Sequence, residues 1–219
     1  MIEFLRYNRG MNIYEKAAAH LQAHDPVLAP IIERTGPTTM RPHRNYYQEL
    51  VDSIISQQLS VKAAATIERR FSELFGLDGT AMPSPEQILT KGVDELRTAG
   101  LSRGKAMYVR DLAQRVLDGR LRFDNIDNLS NDDIIAELTA VKGIGQWTAH
   151  MFLMFCMGRL DVLPVGDLGI RNGVRKFYGL DHLPTPDGII AIAEKYHWHP
   201  YESVAAWYIW HGLDNKPAL

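Results

Sequence analysis

Apolar residues recur at three- and four-residue spacing along most of the chain, and no segment alternates apolar and polar residues over a useful length between turn residues. The pattern predicts an all-α protein. Ile13 to His24 makes a first helix, and Asp25-Pro26 pairs an N-cap with a proline at the first helical position, opening a second through Ile32 that Gly36-Pro37-Thr38-Thr39 breaks. After the loop Arg41-Pro42-His43-Arg44, the stripe Tyr47, Leu50, Val51, Ile54 and Ile55 marks a helix that ends near Gln57-Gln58. Ser60 caps Val61 to Phe75, Gly76 stops it, and Ser84-Pro85 starts a short helix toward Thr90. Ser102, after the turn Ala99-Gly100-Leu101, caps a helix to about Leu117.

Beyond a polar connection from Gly119 to Leu129, Ser130-Asn131-Asp132-Asp133 supplies a cap and acidic residues to the head of the next helix. That helix runs into Leu138-Thr139-Ala140-Val141-Lys142-Gly143-Ile144-Gly145-Gln146-Trp147-Thr148-Ala149-His150-Met151-Phe152, the end of one helix, a four-residue turn with two glycines and the start of another. Leu138, Val141 and Ile144 can pack into the angle, and the glycines permit positive φ or a bare backbone against a partner. Such a turn directs amide N–H groups outward at a helix N-terminus, where a phosphate would bind; a ligand-free connection between two core helices is the other reading. The second hairpin helix carries Phe152, Met154 and Phe155 and is expected in the core. A loop from Gly158 to Gly166 leads to Asp167, ahead of a helix Leu168 to Tyr178, and two more helices follow, Asp187 to Tyr196 and Tyr201 to His211.

Composition narrows the class. With 219 residues, 46% of them hydrophobic, the chain can bury one core or two small ones. No repeat or long linker separates lobes, so any division is compact, with room for the chain to cross between lobes more than once. The start, Met1-Ile2-Glu3-Phe4-Leu5-Arg6, is mixed in charge without an apolar core of signal length, and the apolar run Met151 to Met157 is too short for a bilayer, so the expected location is the cytoplasm. Cys156 is the single cysteine, which rules out an intrachain disulfide or a four-cysteine iron–sulfur site and suggests a buried free thiol. A net charge of −2 and a pI near 6.4 supply no global basic field, so any DNA affinity must come from local features.

Asp167 lies 22 residues after Gly145, about one helix and a loop, which permits its carboxylate to return across the opening of the hairpin. An ordinary N-cap for the helix at Leu168 is the local reading, and the two roles are compatible: capping amides favour an ionised carboxylate, the group needed to stabilise positive charge developing at a sugar carbon. Arg171, four residues on, is placed for an i, i+4 pair with it. His197 and His199 belong to no metal motif.

The hairpin run, the segment Asp161-Val162-Leu163-Pro164-Val165-Gly166-Asp167-Leu168-Gly169-Ile170-Arg171 and Ile54-Ile55-Ser56-Gln57-Gln58-Leu59-Ser60 together resemble the helix-hairpin-helix DNA glycosylase superfamily. The likeness is closest to the 3-methyladenine DNA glycosylase II (AlkA) branch. Gly100-Leu101-Ser102-Arg103-Gly104-Lys105 and Trp198-His199-Pro200-Tyr201-Glu202-Ser203-Val204-Ala205-Ala206-Trp207-Tyr208 agree with it, and the resemblance spans about Tyr46 to His211.

The resemblance implies an all-α, two-lobed fold with the active-site cleft between the lobes: a central lobe 46–160 carrying the hairpin, and a discontinuous lobe 1–45 plus 161–219. It places the catalytic aspartate on Asp167, the pocket on Trp147, Met151, Trp198 and Tyr201, and the intercalating wedge on Gln58, with Gln57 and Leu59 beside it. DNA contacts would fall on Lys142, Gly143, Ile144, Gly145, Gln146 and Thr148, and on Arg103. Backbone carbonyls of Thr139, Val141 and Ile144 would hold a structural Na or K ion, with no cofactor required. The bifunctional branch carries a lysine nucleophile two residues after the second hairpin glycine, where this chain has Trp147. The implied activity is hydrolysis of the N-glycosidic bond of alkylated purines (3-methyladenine, 7-methylguanine type) in duplex DNA by base flipping, by a monomer without lyase activity. A glycosylase for hypoxanthine or uracil, and a non-catalytic helix-hairpin-helix DNA-binding module, are the alternatives.

Overall fold

A computed structural model describes residues 12–213. The expectations for Met1 to Arg6, and for the parts of the discontinuous lobe at 1–11 and 214–219, lie outside the described residues. Among the described residues there are twelve α-helices, two short segments of other helical type and no strand. No helix among the described residues is long and apolar enough to cross a membrane.

The described chain divides into two compact units, residues 42–157 and residues 12–41 with 158–213. The divisions fall a few residues before the boundaries at 46 and 161 read from the resemblance.

In chain order the 42–157 unit follows α1 (Ile13–His24) and α2 (Ala29–Thr35) of the other unit. In it α3 (Tyr46–Ser56), α4 (Val61–Glu73), α5 (Pro85–Thr90), α6 (Val93–Arg97), α7 (Arg103–Leu117), α8 (Asn131–Thr139) and α9 (Gln146–Met151) follow one another. Most start where a side chain can cap them: Ser60, Ser84, Ser102 and Ser130 each accept an amide of the first turn. α6 was not expected. It is five residues long, and its start depends on Glu95 reaching back to accept the Gly92 amide at 2.7 Å. Leu50, Val51, Ile54 and Ile55 of α3 and Val109 and Leu112 of α7 are fully buried. α9 continues into a wider π-helical segment, Phe152–Met157, whose residues are buried except Phe155. Cys156 lies in it, and burial pushes its thiol up to about 12, so it is an inert core residue.

The other unit holds α1 (Ile13–His24), α2 (Ala29–Thr35), α10 (Leu168–Phe177), α11 (Pro186–Lys195) and α12 (Glu202–Gly212). α2 begins at Ala29 rather than Pro26, because Asp25 Oδ1 takes the amides of Val27 and Leu28 and closes a separate turn first. α12 is apolar all round, and Ser203 through Trp210 are buried, with α1, α2 and α10 packed against it. Gly169 and Gly173, four apart on α10, face it: a Cβ at Gly173 would stand 2.3 Å from Ile209 Cγ2, and one at Gly169 3.0 Å from the Trp210 indole. Glycine at both positions brings the start of α10 within hydrogen-bonding distance of α12.

Candidate functional site

The residues singled out fall into two groups, one in each unit. In the 42–157 unit the hairpin turns as expected after α8. Val141 and Ile144 are buried, while Lys142, Gly143, Gly145, Gln146 and Trp147 are exposed, Trp147 to 47%. Gly143 has φ +86°, and a Cβ there would stand 2.2 Å from Cδ2 of Tyr108. Glycine is required twice over, by conformation and by the ring beneath it. Two of the expected phosphate donors are committed inside the protein. The Ile144 amide donates to the Val141 carbonyl at 3.1 Å, and the Lys142 amide to Asp111 Oδ2 at 3.0 Å. That bond and Arg115 hold the Asp111 carboxyl below its usual range against the opposing effect of burial. Gly145, the N-cap of α9, has no side chain to offer the first-turn amides.

Beside the hairpin, α3 ends in a tight turn. Gln57 has φ −46° and ψ 127°, Gln58 has φ 58°, and the Leu59 amide donates to the Ser56 carbonyl at 3.0 Å. These are the features of a type II β-turn, whose third residue is ordinarily glycine or asparagine. Gln58 is exposed and Leu59 half-buried, so Gln58 is the side chain the turn presents. Gln57, expected on DNA, donates its side-chain amide to the Gly143 carbonyl of the hairpin at 2.8 Å. Lys105 Nζ donates to the carbonyls of Ile55 (2.8 Å) and Gln57 (2.6 Å). Arg103 is exposed, 4.0 Å from Asp94. Met151 is nearly enclosed, at 7% exposure. Thr139 closes α8, where carbonyls lack intrahelical partners, and the Val141 carbonyl accepts the Ile144 amide; backbone carbonyls are the hard, uncharged kind of donor that Na or K takes.

In the other unit Asp167 is the N-cap of α10. Its Oδ1 accepts the Ile170 amide at 2.8 Å and the Trp210 indole Nε1–H at 2.9 Å. The N-cap expected of Asp167 is present, and the same oxygen carries a second donor from α12. Arg171 directs Nε to the Pro184 carbonyl at 2.9 Å. Tyr201 is half-buried, with its ring 5.1 Å from that of His20.

Trp198 corrects an expectation. It is fully buried and its indole N–H donates to Asp25 Oδ2 at 2.7 Å, the oxygen that also accepts the Tyr178 hydroxyl. It is a core residue, enclosed too completely to wall a pocket. Trp210, Lys105, Tyr108 and Asp111 were missed. The tail motif ends at Tyr208, two residues short of Trp210, and Lys105 ends the glycine-containing motif that runs into α7, with no role implied for it.

A family model described as HhH-GPD superfamily base excision DNA repair protein matches residues 51–197. The chain is 34% identical over 201 residues to DNA-3-methyladenine glycosylase 1 of Schizosaccharomyces pombe, covering 89% of this chain and 86% of that one. Among solved structures, it is similar to a DNA-3-methyladenine glycosidase from Bacillus halodurans, with a TM-score of 0.80 and 40% identity over 89% of this chain and 88% of that one. It is also similar to the Schizosaccharomyces pombe 3-methyladenine DNA glycosylase Mag1 in complex with abasic DNA, with a TM-score of 0.73 and 34% identity over 89% and 95% of the respective chains.

Proposed function

The chain belongs to the HhH-GPD superfamily of base excision DNA repair proteins, and we propose that it is a monofunctional DNA glycosylase that hydrolyses the N-glycosidic bond of alkylated purines in duplex DNA. The observation that carries the proposal is Asp167, a carboxylate fixed at the head of α10 by the Ile170 amide and the Trp210 indole. Both donors hold its orientation before any substrate arrives.

The reaction needs a base out of the stack, a stabilised sugar cation and a water. Gln58, held on the tight turn after α3, fills the gap left by the rotated nucleotide. The exposed backbone at Gly143 and Gly145 and the uncapped start of α9 grip a backbone phosphate, with Lys142 alongside. The backbone carbonyls of Thr139, Val141 and Ile144 would hold a Na or K ion, which would supply positive charge to the hairpin. Trp147 and Tyr201 offer aromatic faces to a purine made cationic by methylation, an attraction worth about 0.5–2 kcal/mol.

As the bond from C1′ to the purine nitrogen breaks, its electron pair neutralises the methylated base, so the leaving group needs no acid. Asp167 balances the positive charge that remains on the sugar. Water then adds to C1′ and loses a proton, leaving an abasic site. Trp147, standing where the bifunctional branch has its lysine, has no amine to form a Schiff base, which supports hydrolysis without strand cleavage. The test is release of 3-methyladenine and 7-methylguanine from methylated duplex, compared with duplexes carrying hypoxanthine or uracil, with borohydride present in a parallel reaction. Release of methylated purines without a trapped covalent complex is expected. No release from any duplex would sink the enzyme reading, and a trapped complex the monofunctional one.

A further inference from the structure

Lys105, Tyr108 and Asp111 stand three residues apart along one face of α7. Each meets the backbone of a loop. Lys105 Nζ bridges the carbonyls of Ile55 and Gln57, at the end of α3 where carbonyls lack helical partners and the dipole favours a cation. The Tyr108 ring lies under Gly143, and Asp111 accepts the Lys142 amide. Gln57 closes the circuit by donating to the Gly143 carbonyl. The turn bearing Gln58 and the glycine hairpin are therefore each fastened to α7 and to one another.

We infer that Lys105 is a positioning residue for base extrusion: by gripping the Gln57 carbonyl it locks the tight turn that presents Gln58 in register with the hairpin. The inference rests on reading Gln58 as the wedge. Its physical basis is the turn type. Type I and type II turns differ by a flip of the central peptide, here the one joining Gln57 to Gln58, and for a residue other than glycine type I is the cheaper form because it avoids the left-handed φ. The carbonyl that must rotate in that flip is the one held by Lys105 at 2.6 Å. A plain helix cap would not need that second carbonyl, and would ordinarily lie exposed. Lys105 is instead half-buried, and its desolvation draws the ammonium below the usual lysine range, a cost that two carbonyl acceptors offset.

Lys105→Met and Gln58→Ala test this in the full chain. Three quantities are read: affinity for a duplex with an abasic analogue, single-turnover release of methylated purine from duplex, and the fluorescence rise of 2-aminopurine beside the abasic analogue, taken per bound complex. Both variants are expected to bind within about threefold of wild type, to lose about tenfold or more in release, and to lose most of the fluorescence rise. If Lys105→Met alone keeps the rise, the inference falls, because its defect is then not in extrusion. If Gln58→Ala keeps it, the wedge reading falls and the inference with it. Should Lys105→Met fail to fold, Lys105→Gln, which can serve one carbonyl, is read with the same expectation.

Discussion

The indole Nε1 of Trp210 donates to Oδ1 of Asp167 at 2.9 Å, on the same oxygen that takes the Ile170 amide. A cap alone would fix the carboxylate from one side. The second donor, arriving from α12 across 43 residues of chain, fixes it from another and makes its orientation a property of the packed unit. Trp210 is 2% exposed, and Phe keeps an aromatic ring there while removing the indole N–H and leaving a small cavity. Trp210→Phe is expected to lower single-turnover base release about tenfold, the effect of losing one hydrogen bond to a charged group. Abasic-duplex affinity should change little. A wild-type rate would show that the indole bond is not needed.

Asp167→Asn keeps an oxygen for both donors and removes the negative charge. Base release should fall by about 100-fold or more, as when an oriented charge-stabilising group is lost. Binding to an abasic-analogue duplex should persist. A variant that released base at the wild-type rate would remove Asp167 from the reaction.

Gly143→Ala tests the hairpin. The added methyl meets the Tyr108 ring in a backbone conformation that already disfavours side chains, and destabilisation of about 2 kcal/mol or more is expected in urea unfolding. Adding Tyr108→Ala should recover part of that loss by opening space, while the backbone term remains.

Local chemistry was the legible part of this chain. The starts of α7 at Ser102 and α8 at Ser130 could be read because a serine and the amide it accepts lie three residues apart. The start of α2 could not, since Asp25 serves a turn, a tyrosine and a tryptophan at once, and two of those lie more than 150 residues away. Trp198 was misplaced for the same reason: its burial depends on that distant carboxylate. The motif pattern located Asp167 and the hairpin, but Trp210 and Lys105 act through contacts that no spacing encodes. The left-handed φ of Gln58 was equally hidden, because a glutamine gives no sign of it.

Asp52 supplies a pH prediction. Burial chiefly, then Glu68 and Glu49, push its carboxyl up to about 7, while a hydrogen bond from Gln48 works the other way. Burial raises Glu68 as well. The unfolded chain releases these protons near pH 4, so between pH 4 and about 7 the folded state binds more protons, and stability falls as pH rises through that window. The thermal midpoint should therefore drop from pH 5 to pH 8. Asp52→Asn should flatten the drop and raise the midpoint at pH 8; an unchanged pH profile would place the dependence elsewhere.

Gln58→Gly separates stability from function at the wedge. The left-handed φ costs glutamine about 1–2 kcal/mol and glycine almost nothing, whereas glycine adds about 0.5–1 kcal/mol of backbone freedom to the unfolded chain. The difference predicts a variant about 0.5–1 kcal/mol more stable than wild type in urea unfolding. It also predicts slower base release, because the turn survives without a side chain to enter the stack. Both signs matter. A residue whose removal stabilises the fold and slows the reaction is kept in a strained conformation for what its side chain does. If Gln58→Gly were instead destabilised with release unchanged, the glutamine would be a structural part of the turn, and Leu59 would be the side chain to test as the wedge.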